Sequence, residues 1–175
     1  MIVNLKDSWI VQLHNNVEKG KLKINRRDIS FFNIDMIEQA ARHTVIYIKH
    51  CTQCQENKQL LLNISENFPK MLNTIQGRKE FTNNLDHVIK HLRVAHGVYP
   101  RGYFTAIYTF IALIIAAVFA WIVAKINLLS MYASMLIFLG IGMIIGWIIG
   151  QIKDSKISKL GKRLDKNPKI EINKI

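Results

Sequence analysis

The chain has 175 residues, of which 50% are hydrophobic and 21% are charged, and its formal net charge is +12. The positive excess is divided between residues 1–100, with 14 basic and nine acidic side chains, and residues 151–175, with eight and three. Neither region is an unbroken basic block, so we do not expect nucleic acid as a partner.

The first thirty residues combine an apolar stripe with a basic stretch. Hydrophobic side chains at helical spacing predict an amphipathic helix with one apolar face, formed by Trp9, Ile10, Leu13 and Val17. Residues 20–27 predict a basic linker. The sequence leaves open whether this helix packs on the residues that follow, lies on a membrane or binds a partner.

Residues 1–100 together predict a small all-α domain, because no sustained alternation of apolar and polar side chains indicates a strand. Three further helices are expected, over about 34–48, over about 55–67 with Pro69 ending it or opening the next turn, and over about 78–95 with Gly97 and Pro100 as stops. A domain of this size is near the lower limit at which a hydrophobic core suffices, so an additional crosslink would stabilise it.

Both cysteines of the chain fall in one short motif, Cys51-Thr-Gln-Cys54. His87 and His91 lie four residues apart, a spacing that places two side chains on one face of a helix. Two thiolates with two imidazoles are typical of structural zinc, and they are softer ligands than the oxygens that Ca²⁺ and Mg²⁺ prefer. The sequence therefore predicts a Zn²⁺ site that joins two helices.

Other interpretations of these residues stay open at this stage. A redox motif would need a preceding strand, a disulfide would need an oxidising compartment, and two packed cysteines would need neither. His43, His50 and His96 are alternative ligands. Whether the metal is structural or regulatory is also undecided.

The sequence contains no recognisable enzyme motif, neither a Gly-rich phosphate loop nor HExxH nor GxSxG. Four protein ligands would also close a zinc site to water. We therefore expect a non-enzymatic protein.

Two apolar runs follow, over about 104–124 and 128–149, joined by Lys125-Ile-Asn127. A helix needs roughly 20 residues to cross a hydrocarbon core about 30 Å thick, and both runs reach that length. The short connection predicts a transmembrane hairpin over residues 101–150.

Basic residues are concentrated on one side of this hairpin. They lie before the first run and after the second, whereas the connection holds only Lys125. The positive-inside rule therefore places both termini in the cytoplasm, and we expect a multi-pass protein of the bacterial inner membrane.

The second apolar run carries glycines every four residues, at Gly142, Gly146 and Gly150. A face of glycines lets another helix approach closely, because association within lipid depends on packing. The partner helix is either the first run or another subunit of a homo-oligomer.

After the hairpin, residues 151–175 predict a basic cytoplasmic tail. Its candidate membrane-surface residues are Lys153, Lys156, Lys159, Lys162 and Arg163, with Ile157, Leu160 and Leu164 on an apolar side. This pattern predicts either a helix along a leaflet with anionic headgroups or a solvated tail.

Taken together, the sequence predicts an interaction, assembly or regulatory module whose partner is another protein or a second copy of itself. One alternative is an accessory subunit of a transport or secretion complex, built through the glycine face. Another is a metal-dependent membrane enzyme or a thiol redox sensor.

Overall fold

The structure is a computed structural model that describes residues 8–126 and 130–165. Within those residues the chain is helical and contains no strand, which confirms the predicted all-α class. Seven helices are described: α1 (Ser8–Lys21), α2 (Arg26–Phe31), α3 (Asp35–Tyr47), α4 (Thr52–Met71), α5 (Ile75–His96), α6 (Tyr103–Lys125) and α7 (Met131–Lys159).

The described residues form two compact units. One unit, which we call the head, contains residues 8–99 and also 161–165, and the other, the hairpin, contains the described residues of 100–160. The predicted turn at Asn127 lies outside the described residues, as do Lys166 and the end of the tail.

The first helix belongs to the core of the head. Its apolar face is buried at all four predicted positions, Trp9, Ile10, Leu13 and Val17. Because these side chains are already covered inside the head, α1 packs there and does not present this face to a membrane surface. The basic linker predicted over 20–27 is shorter, because Arg26 already lies in α2.

Helices α4 and α5 pack as an antiparallel pair across the connection 72–74. The Thr74 hydroxyl caps α5 by accepting a hydrogen bond from the Gly77 N–H at 3.0 Å. The predicted end of the preceding helix at about residue 67 was early, since α4 continues to Met71 with Pro69 in its last turn. α4 has 20 residues and α5 has 22, so the two helices are nearly equal in length.

The end of α5 is fixed by a glycine in the left-handed region. Gly97 has φ +65°, and its N–H and that of Val98 donate to the carbonyls of Arg93 and Leu92. The bond from Gly97 to Arg93 is that of an αL C-cap, a backbone conformation that a side chain with a Cβ would strain. It turns the chain so that Val98 enters the core with no exposed surface.

In the hairpin, three glycines of α7 face α6, at Gly142, Gly146 and Gly150. A Cβ on Gly142 would lie 2.7 Å from the Ala116 Cβ, and one on Gly146 would lie 2.6 Å from the Thr109 Cα. The partner of the glycine face is therefore α6 of the same chain.

Asp154 continues the buried stripe of α7 and supplies a cap to α6. Its carboxylate accepts hydrogen bonds from the backbone N–H groups of Phe104 and Thr105 at 3.2 and 3.1 Å, and from the Thr105 hydroxyl at 2.6 Å. Gly102, at the N-cap position, has no side chain for this purpose. A carboxylate at a helix N-terminus is favourable, by about 0.5–2 kcal/mol in capping substitutions.

Both hairpin helices are long and apolar enough to cross a membrane. Only 11% of the most apolar segment of α6 and 22% of that of α7 is buried within the protein. Core helices of soluble proteins are mostly covered, so this degree of exposure favours a lipid environment.

The chain returns to the head after α7, which the tail prediction did not anticipate. The Tyr99 N–H donates to the Lys162 carbonyl and the Leu164 N–H donates to the Tyr99 carbonyl, each at 2.9 Å. Leu164 is 2% exposed and belongs to the head core. A surface helix through Leu164 is therefore wrong, because backbone pairing with Tyr99 turns this side chain inward.

The predicted membrane-surface residues accordingly fall in two settings. Lys153, Lys156 and Lys159 lie on the last turns of α7, whereas Lys162 and Arg163 follow its end in the head. Arg163 is ion-paired with Asp165. Contact of these side chains with lipid stays a prediction.

Replacing Gly146 with Leu should destabilise the hairpin, because the new side chain would overlap the α6 backbone. We expect a lower melting temperature in detergent for Gly146→Leu, whereas Gly140→Leu on the same helix should change it little, since nothing lies within 4 Å of a Cβ there. Equal melting temperatures for the two variants would contradict the close contact.

Truncating Leu164 tests whether the returning segment is part of the head core. Leu164→Ala should cost about 2–5 kcal/mol of unfolding free energy, the usual range for a buried leucine. Leu160→Ala is the matched control, because Leu160 is 49% exposed. Denaturant unfolding of the full chain in detergent measures both, and similar small losses would mean that Leu164 is not held in the core.

Candidate metal centre

The antiparallel pairing of α4 and α5 brings four potential ligands together. Cys51 is the N-cap residue of α4 and Cys54 lies in its first turn. His91 and His96 lie near the end of α5, with His96 as its last helical residue. One ligand atom from each of these four residues lies within 4.8 Å of the others.

The contacts within the cluster are short and all involve the same ring nitrogen of each histidine. His91 Nε2 lies 3.3 Å from Cys51 Sγ and 3.4 Å from Cys54 Sγ. His96 Nε2 lies 3.2 Å from Cys54 Sγ. Without a metal these contacts can be thiol–imidazole hydrogen bonds, with Nε2 or Sγ as acceptor according to tautomer.

These distances fit a tetrahedral metal ion closely. Bond lengths of about 2.3 Å to sulfur and about 2.0–2.1 Å to nitrogen place the two ligand atoms about 3.6 Å apart at a tetrahedral angle. The observed separations of 3.2–3.4 Å are only a few tenths of an ångström shorter. These three contacts would therefore have to lengthen only slightly to admit an ion.

The His96 ring is positioned by an aromatic neighbour. It stacks on Tyr47, near the end of α3, with ring centroids 3.8 Å apart and planes 10° from parallel. It also meets the His91 ring edge to face at 5.2 Å. A third helix thus holds one ligand in place, which preorganises the cluster.

Burial controls the protonation of the metal-free site. It raises the pKa of the Cys54 thiol to about 12, and the hydrogen bond and charge of Cys51 add to this effect. Burial also lowers the pKa of both His91 and His96, with the neighbouring imidazole adding to it. Both imidazoles are therefore neutral near pH 7, the form that binds metal, and Cys54 is a poor nucleophile without an ion.

The structure places the other histidines of the prediction elsewhere. His87, a predicted ligand, is exposed and lies outside the group of four. His43 is buried on α3, and His50 is exposed beside Cys51. Of the alternative ligands, only His96 lies in the cluster.

Helix geometry explains why His96 and not His87 meets the cysteines. Nine residues, about 13 Å along a helix, separate the two histidines. Cys51 lies 22 residues before Asn73 and His96 lies 23 residues after it, so an antiparallel pair turning there sets them side by side. Counting outward from the turn gives this pairing once the turn is placed at 72–74, a position that the predicted helix ends at about 67 and 78 did not fix.

A second group of potential ligands consists of His14, Glu18 and Glu38. Two polar contacts account for it: His14 Nδ1 lies within hydrogen-bond distance of Glu38 Oε1 at 3.0 Å, and Lys21 Nζ forms an ion pair with Glu18 at 2.8 Å. His14 and Glu18 are exposed, and we assign no metal to this group.

Comparison of the chain with protein-family models, with curated proteins and with solved structures found no match. The interpretation of the site therefore depends on its own geometry and donor chemistry.

The ligand set predicted from the sequence, which includes His87, and the observed cluster, which includes His96, make opposite predictions for two histidine variants. The full chain purified with zinc should carry about one equivalent of metal, and His96→Ala should remove most of it, since three ligands bind more weakly than four. His87→Ala is the control and should retain the metal. Elemental analysis of both variants measures this.

Two outcomes of this experiment would contradict the assignment. Metal lost from His87→Ala but kept by His96→Ala would restore the ligand set predicted from sequence spacing. A near-zero metal content in the parent chain, purified without chelator, would leave Cys51 and Cys54 as ordinary packed residues.

Proposed function

We propose that the chain is a non-enzymatic membrane protein whose head is held together by Zn²⁺ and serves as an interaction, assembly or regulatory module. The observation that carries this proposal is the convergence of two thiols and two imidazoles from α4 and α5 on one point. Zinc fits this mixed sulfur and nitrogen set in tetrahedral geometry.

The ligand set supports a structural role for the metal over a catalytic one. Four protein ligands fill a tetrahedral zinc shell and leave no position for water or substrate. Within the described residues, the cluster also includes no carboxylate that could act as a general base. Such an ion would connect the start of α4 to the end of α5, and structural zinc contributes on the order of 10 kcal/mol in small modules.

The head exposes several large apolar side chains. Four large apolar side chains are more than 70% exposed there, at Leu22, Phe31, Ile75 and Val94. Each lies at or near the end of a helix or on the outer face of α5. Single exposed apolar side chains are normal on protein surfaces, so the proposed interaction role depends on the closed ligand set and not on these four side chains.

The proposed location is the bacterial inner membrane with the head in the cytoplasm. Basic residues border the hairpin at the two ends that connect to the head, at Arg101 before α6 and at the lysines near the end of α7, which agrees with the positive-inside rule. A reducing cytoplasm also keeps Cys51 and Cys54 available as thiolate ligands.

An alternative function is that of an accessory or oligomeric subunit of a transport or secretion complex, built through the glycine-faced hairpin. Because Gly142 and Gly146 pack against α6 of the same chain, that face is occupied. Nothing else in the described residues favours this alternative.

Metal-dependent capture of a partner tests the proposed function. The full chain would be purified in mild detergent from its own host as parent, as the double variant Cys51→Ser/Cys54→Ser and as His87→Ala. We expect one protein to be enriched with the parent and with His87→Ala and to be lost with the double variant or after chelation, because the docking surface needs an ordered head. Quantitative mass spectrometry measures this.

Enrichment that is identical for the parent and the metal-free variants would contradict a metal-held docking surface. Absence of any enriched protein with the parent would contradict the interaction module itself.

A further inference from the structure

The outer face of the hairpin contains an apolar groove between α6 and α7. It has a volume of about 460 Å³, within the range of about 300–1,000 Å³ typical of small-molecule sites. Small residues form its floor, among them Ala112, Ala116, Gly142 and Gly146, and branched or aromatic residues form its walls, among them Ile111, Ile115, Ile145 and Ile149. The close approach of the helices at the glycines thus leaves a channel between two rows of isoleucines.

The length of the groove corresponds to one leaflet of a bilayer. On α6 it extends from Tyr108 to Phe119 and on α7 from Phe138 to Ile149, which is 11 residue steps on each helix. At about 1.5 Å per residue this is about 16 Å, close to half of a hydrocarbon core about 30 Å thick. A lipid chain of one leaflet therefore fits along it.

A fixed cation lies one turn beyond the end of the groove. Lys153 Nζ donates a hydrogen bond to the Tyr108 hydroxyl at 3.2 Å and lies 5.3 Å from the centroid of the Phe104 ring. None of the ion pairs in the described part of the chain involves Lys153. The neighbouring Asp154 is engaged by the start of α6.

The donors at this end suit a phosphate. An ammonium group has three N–H donors, so two remain on Lys153 after the bond to Tyr108, and the tyrosine hydroxyl retains its own proton to donate. We propose that the groove and Lys153 form a binding site for one anionic phospholipid, with an acyl chain along the groove and the phosphate at Lys153 and Tyr108. This lipid site rests on the proposed function, in which the hairpin is inserted in a membrane and Lys153 lies at its cytoplasmic side.

Native mass spectrometry of the full zinc-loaded chain in detergent tests the site, with dioleoyl phosphatidylglycerol and dioleoyl phosphatidylcholine added at equal concentration. We expect one phosphatidylglycerol to be retained in preference to phosphatidylcholine. Lys153→Gln should lower its affinity about fivefold, which corresponds to roughly 1 kcal/mol for one basic side chain at an anionic surface. Lys159→Gln, the same charge change on the same helix, is the control and should have little effect.

A second pair of variants tests the groove itself. Ile145→Trp should fill the channel and lower retention of both lipids, whereas Ile144→Trp should not, because Ile144 is exposed but does not line the groove. Equal phosphatidylglycerol affinity in Lys153→Gln and Lys159→Gln would overturn the headgroup site. If Ile145→Trp converts a dimer to a monomer and leaves lipid retention unchanged, a second copy of the chain occupies the groove and the lipid site is wrong.

Alkaline carbonate extraction of membranes separates failure of this inference from failure of the proposed function. If the chain is released by carbonate, the hairpin is not inserted and both proposals fail. If it stays in the membrane and binds its metal but shows no lipid preference, only the lipid site fails.

Discussion

The antiparallel pairing of α4 with α5 is the constraint on which the head depends. A connection of only three residues, 72–74, forces the two helices to lie side by side, and their similar lengths bring the start of one to the end of the other. Cys51 and His96 meet for this reason, although 44 residues of chain lie between them. The same pairing contributes Leu61, Ile64, Leu85 and Leu92 to one core. The candidate metal centre is therefore a consequence of the helix pair and also a crosslink for it.

The end of α5 links the metal centre to the connection with the hairpin. Gly97 and Val98 follow His96 directly, and Tyr99 then pairs through its backbone with residues 162 and 164. Within the head, the segment that leaves for the hairpin and the segment that returns from it are thus held to each other. Burial of Leu164 fixes this contact by hydrophobic packing, and two backbone hydrogen bonds fix its register.

The hairpin is organised by every fourth residue of α7, from position 142 to position 154. These residues form a stripe that faces α6, in which three glycines are followed by one carboxylate. Gly142, Gly146 and Gly150 permit close helix approach, and Asp154 then provides a carboxylate for the start of α6. Close packing replaces the hydrophobic effect as the attraction between helices in lipid, and the carboxylate satisfies backbone N–H groups that would otherwise lack partners. The isoleucines left beside the stripe form the walls of the groove.

The sequence by itself determined the all-α class, the two apolar helices and the presence of one Cys/His cluster, because these depend on hydrophobic periodicity, run length and ligand type, which are local properties. It also indicated the buried face of α1, through the spacing of Trp9, Leu13 and Val17. Only the tertiary structure decided which histidines meet the cysteines, since the spacing of His87 and His91 describes one helix and not its neighbour. The burial of Leu164 and the capping by Asp154 were likewise decided there, because each joins segments about 50 or more residues apart, and no local pattern encodes which distant backbone group a side chain will reach.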